Sequence, residues 1–101
     1  MTGPLGILVA TKDALDHLLG LVAAAAEQQV EVVVFLTGDG VLLTEEPRFA
    51  QLAGRAQMSL CEVSFKAHGL KGEVPGLAPK DFATQARHAE MLADLPHYLV
   101  L

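Results

Sequence analysis

Leu5-Gly6-Ile7-Leu8-Val9-Ala10-Thr11-Lys12-Asp13 is the stretch on which the fold turns. The run Leu5–Ala10 is almost continuously apolar, as in a strand covered on both faces, and lacks the alternation of a half-exposed one. Thr11-Lys12-Asp13 breaks it, and the period then lengthens to that of a helix. Leu15, Leu18, Leu19, Val22 and Ala26 fall at helical spacing, and Ala23–Ala26 is a strong helix-forming run. Asp13 is the expected N-cap, with Asp16 adding negative charge to the first turn. Gln28 and Gln29 close the helix, and the β-branched run Val30–Leu36 is the second strand.

The pattern continues outward from this unit. Thr37-Gly38-Asp39-Gly40 is a tight turn in which either glycine can take a positive φ. Val41–Thr44 is ambiguous between a strand extension and a helix start. Pro47 at a first-turn position predicts a helix from about Glu46 to Gln57 that buries Phe49, Leu52, Ala53 and Ala56. Met58–Val63 is the third strand. Phe65–Leu70 is a short helix closed by Gly69 at C′, and Lys71–Pro79, with two prolines and two glycines, is a loop. Asp81 is expected to cap a last helix in which Phe82, Ala86, Ala89 and Ala93 share a face. Pro96 stops it, and His97–Leu101 is a terminal strand.

The order β-α-β-α-β-α-β with apolar strands predicts a three-layer α/β/α fold, flavodoxin-like, around a mainly parallel sheet of four to five strands. Right-handed crossovers place helices on both sides. The 101 residues are expected to form a single domain, 1–101. In such sheets the working site lies beyond the carboxyl ends of the strands. Three segments converge there: Thr11–Asp13, Gly38–Gly40 and Cys61–Ser64.

Composition narrows the function. Seven basic against twelve acidic residues give a net charge of −5, without the clustered basic surface that direct nucleic-acid binding requires. The start Met1-Thr2-Gly3-Pro4 lacks the basic region of a secretory signal, and no apolar run approaches the ~18 residues of a membrane span. One cysteine without a targeting segment fits a reducing cytoplasm. Hydrophobic residues make up 51% of the chain and charged residues 19%, where about 25% is usual. This excess of apolar surface predicts a homo-oligomer.

Cys61 is the single cysteine, so it is either core filler or a working thiol. A thiol where a strand turns into a helix faces backbone N–H groups and the positive end of a dipole, which favour the thiolate. Lys66 and His68, within the next two turns, add positive charge. His17, His68, His88 and His97 have no partner at metal-ligand spacing. His17 is expected on the surface, His88 on a solvated face with Glu90, and His97 in packing at the start of the last strand. No metal site or cofactor is expected. Cys61, His68 and Asp39 are the residue types of a nucleophile–base–orienter set. Gly38-Asp39-Gly40 lacks the third glycine and the lysine of phosphate-binding fingerprints. A phospho-receiver needs an acidic pair after strand one, where Asp13 stands alone.

With Cys61 ending strand three and a short helix running to Gly69, the chain resembles the DsrE/DsrF-like (TusD-like) family of small sulfur-relay proteins. The segment Leu60-Cys61-Glu62-Val63-Ser64-Phe65-Lys66-Ala67-His68-Gly69-Leu70 is similar to the family pattern. That pattern is an apolar residue, the sulfur-carrying cysteine, small and apolar residues, and a basic-Gly-apolar close. The family's Asp-Gly-Val turn maps onto Asp39-Gly40-Val41. The resemblance implies a DsrEFH-like fold and a cytoplasmic sulfurtransferase-type carrier that accepts sulfane sulfur as a persulfide on Cys61. It implies sulfur donor and acceptor proteins as partners and a homotrimer or homohexamer. Lys66 and His68 would assist at the site. His68 stands where the family often has arginine, and the loop near Thr44–Glu46 is shorter than in typical members. Two other functions fit the residues: a non-catalytic oligomeric subunit with Cys61 as packing, and a small-ligand-binding domain using the Gly38–Gly40 turn.

Overall fold

The computed structural model describes residues 3–101; Met1 and Thr2, from the Met1–Pro4 start read above for a secretory signal, lie outside the described residues. Five strands form one all-parallel sheet: β1 (Leu5–Val9), β2 (Val32–Leu36), β3 (Gln57–Cys61), β4 (Phe82–Ala83) and β5 (His97–Val100). Their order across the sheet is β4-β3-β2-β1-β5. The chain therefore steps one way from β1 to β4 and then returns past β1 to β5. With right-handed crossovers, the first three connections lie on one face and the last on the other.

The two cores match that topology. On one face α1 (Leu15–Glu27) sets Leu15, Leu18 and Val22 against Ile7, Val9, Val34, Leu36 and Leu60, all buried. Phe49 and Leu52 from the β2–β3 connection complete this layer. On the other face α3 (Gln85–Asp94) sets Met91 against Phe35 and Cys61, with Leu8, Val33, Ala83, Leu95 and Tyr98 at the margins. The result is the expected three-layer α/β/α arrangement. Among the described residues, no helix is long and apolar enough to cross a membrane.

Several boundaries differ from the sequence expectation. α1 starts at Leu15 with Ala14 as its N-cap and no side-chain cap, so Asp13 stays one position outside. The expected helix from Glu46 to Gln57 is absent. Gly38–Glu45 and Pro47–Leu52 are two 3-10 segments instead, with Val41, Leu43, Phe49 and Leu52 buried. Phe49 and Leu52 are three residues apart, the spacing that eclipses on a three-residue turn. Ala53, which would have extended a 3.6-residue face, is exposed.

The last helix is capped by Thr84, whose Oγ1 accepts from the Ala86 N–H at 3.2 Å. Asp81 caps a different element. Its Oδ2 accepts from the Ala78 N–H at 2.8 Å and closes the 3-10 turn Pro79–Asp81. Between them Phe82 and Ala83 stay extended because they pair with Leu60 and Cys61. Phe82 therefore belongs to the sheet, and Ala86, Ala89 and Ala93 are exposed, whereas Met91 of α3 is buried.

Candidate functional site

The carboxyl ends of the strands gather the residues singled out from the sequence. β3 runs directly into α2 (Glu62–Ala67), with Cys61 as both the last strand residue and the N-cap. The helix begins three residues earlier than its apolar spacing predicts, so the third strand stops at Cys61 instead of Val63. The far end is as expected. Gly69 takes φ +73°, its N–H donates to the Lys66 carbonyl at 2.9 Å, and Leu70 N–H donates to the Phe65 carbonyl at 3.1 Å. These two bonds form the 5→2 and 6→1 pair of a Schellman close.

The strand-two loop docks on α2. Gly38 takes φ +54° and its N–H donates to Ser64 Oγ at 3.0 Å. Asp39 Oδ1 lies 3.2 Å from His68 Nε2. Ser64 and His68 are four residues apart, hence on one face of the helix. Gly40 is buried against β1, where an added Cβ would come within 2.1 Å of the Val9 carbonyl oxygen. The loop is thus fixed at three points.

Cys61 is at the functional edge but turned inward. Its side chain faces the α3 layer beside Phe35 and Met91, and the residue is 4% exposed. Lys66 lies on the exposed surface of α2 with Nζ 3.5 Å from Glu62 Oε1, and His68 pairs with Asp39. The structure therefore joins His68 to Asp39, two of the three members of the nucleophile–base–orienter set. Among the described residues, no group of three His, Cys, Asp or Glu is placed to hold a metal ion.

Two features escaped the sequence. Ser64 carried no motif, and only the pairing of its hydroxyl with Gly38 reveals it. His88 is not on a solvated face. Its ring stacks on Phe35 at 5.6 Å between centroids, and Nε2 lies 2.6 Å from the Tyr98 hydroxyl. Burial raises the Tyr98 pKa above its ordinary value. The signal for this cluster was present in Tyr98, the chain's single tyrosine, set between His97 and two aliphatic residues in β5, since a partly buried phenol needs a hydrogen-bond partner.

No family model, no curated protein and no solved structure matches this chain.

Proposed function

We propose that this chain is a sulfur-relay carrier of the DsrE/DsrF-like kind, holding sulfane sulfur on Cys61. The observation that carries the reading is the position of this single cysteine. It ends β3 and opens α2, at the carboxyl edge of an all-parallel sheet, where the segment after β2 docks on α2. The Cys61 thiolate attacks the terminal sulfur of a donor persulfide. A sulfur–sulfur bond to Cys61 forms, the donor's own breaks, and the donor leaves as a thiolate. An acceptor thiolate then takes the outer sulfur and releases the Cys61 thiolate. No cofactor enters either step. Because Cys61 is 4% exposed, loading proceeds through local opening of the packing around Phe35 and Met91. Lys66, on the exposed surface of α2, supplies positive charge to a docked donor or acceptor protein, and His68, at the helix C-cap, fixes that end through Asp39. The working assembly is a cytoplasmic homotrimer or homohexamer.

The burial of Cys61 favours a second reading, a non-catalytic oligomeric subunit in which the thiol is packing. One experiment separates the two. Incubated with a cysteine desulfurase and cysteine, or with a small persulfide, the carrier gains one sulfur atom, about 32 Da, which dithiothreitol removes. Cys61→Ser gains nothing. A chain that folds but takes up no sulfur from several donors is the structural subunit.

A further inference from the structure

We propose that β5 is a dimerisation edge, at which two copies of this chain join their sheets by antiparallel pairing of β5 with itself about a two-fold axis at Leu99. The proposal stands apart from the chemistry at Cys61. The sheet has two edges, and they differ. β4 is two residues long, a blunted edge of the kind that resists pairing. β5 is four residues, His97-Tyr98-Leu99-Val100, with no lysine, glutamate, proline or bulge to protect it. Its apolar side chains are open, with Leu99 41% and Val100 63% exposed.

The backbone selects the partner and the register. Leu101 N–H donates to the Leu8 carbonyl and Ala10 N–H donates to the Leu101 carbonyl, so residue 101 faces β1. Alternation along a strand then turns Leu99 toward β1 and aims the N–H and C=O of Tyr98 and Val100 at the free edge. In a two-fold pair centred on Leu99, Tyr98 lies opposite Val100 of the second copy. The two exchange both hydrogen bonds, and symmetry repeats them, giving four. The side chains agree with this register. Tyr98 and Val100 share the α3 face with their register partners Gly6 and Leu8. Their cross-strand contact is an aromatic–β-branched pair, a favoured one. Leu99, on the face of Ile7, meets its own symmetry mate at the axis. No charge opposes a like charge anywhere in the pairing. A two-fold contact of this kind belongs in a hexamer built from dimers and has no place in a lone trimer.

Two variants test it. Val100→Pro removes an outward N–H while sparing the bonds to β1; it is expected to halve the assembly mass seen by light scattering at tens of micromolar. Leu99→Cys is expected to form a disulfide-linked dimer under mild oxidation, because opposed residues of a non-hydrogen-bonded pair lie about 4.5 Å apart at Cα, within disulfide reach. His97→Cys, offset from its mate by four residues, stays uncross-linked, as does the parent chain. A parent chain that is monomeric or trimeric overturns the proposal. So does an unchanged mass in folded Val100→Pro. Should that variant fail to fold, absence of the Leu99→Cys cross-link overturns it alone.

Discussion

Asp39 and His68 tie the end of β2 to the close of α2 through a 3.2 Å contact between Oδ1 and Nε2. The contact lies at the surface, with Asp39 63% and His68 29% exposed in their side chains. Water screens such a pair, and ordering two side chains offsets much of the attraction. We expect Asp39→Asn and His68→Ala each to lower stability by less than about 1 kcal/mol in urea unfolding. The double variant should lose little more than the larger single, since the two changes remove one interaction.

Gly40 should matter far more than either ionic partner. A Cβ there would sit 2.1 Å from the Val9 carbonyl oxygen and 2.7 Å from its carbon, both backbone atoms that cannot swing aside. Gly40→Ala must push the first 3-10 segment off β1, and we expect a loss of about 2–4 kcal/mol by denaturant melts. Gly38→Ala is the comparison. There an added Cβ would meet only the Ala10 carbonyl oxygen, at an ordinary 3.8 Å, and the left-handed φ of +54° is what opposes the change, at about 1–2 kcal/mol. Equal costs at both sites would mean that the loop does not sit against β1 as described.

The contrast between these residues shows what sequence can carry. Layering was legible because apolar runs and helical spacing are local, and they report burial on both faces of a parallel sheet directly. The glycine turn at Gly38–Gly40 was legible for the same reason, whereas the apolar spacing carried the third strand to Val63, two residues past its end at Cys61. The 3-10 geometry from Gly38 to Leu52 was not, since a three-residue and a 3.6-residue period agree over one turn. The switch of capping from Asp81 to Thr84 depends on Phe82 pairing with Leu60, a contact between distant segments. The burial of Cys61 depends on α3 arriving from the chain's far end. Side-chain pairings such as Ser64 with Gly38 are likewise tertiary facts.

Cys61 should alkylate at least about 100-fold more slowly in the native chain than in the denatured one, because it is buried under α3. The denaturant dependence of that rate is the informative part. Local opening exposes little surface, so a carrier thiol should label at a rate nearly flat in low urea. A rate that climbs with urea in step with global unfolding marks Cys61 as core. Iodoacetamide labelling followed by intact mass reads both.

Tyr98 gives a spectroscopic handle on the α3 face, as the chain's single tyrosine. Burial disfavours the phenolate, so its pKa in the folded state lies above the ordinary value of 10.0. The sign of the linkage follows. Below pH 10 the phenol is neutral in both states and its contribution to stability is complete. As pH rises through the raised folded value, the unfolded chain has already released its proton, and that contribution is lost. The near-ultraviolet tyrosinate absorbance of the native protein should therefore titrate at higher pH than in the denatured chain. Tyr98→Phe should remove this alkaline component of the stability profile while leaving the part due to lysines. It should also cost about 1 kcal/mol at neutral pH, because His88 Nε2, half-buried and 2.6 Å from the hydroxyl, loses its partner. His88→Ala should cost more than that hydroxyl alone, since it also strips the stacked ring from Phe35. A native titration coincident with the denatured one would mean that the phenol is fully solvated, and that α3 does not close over β5 at this end.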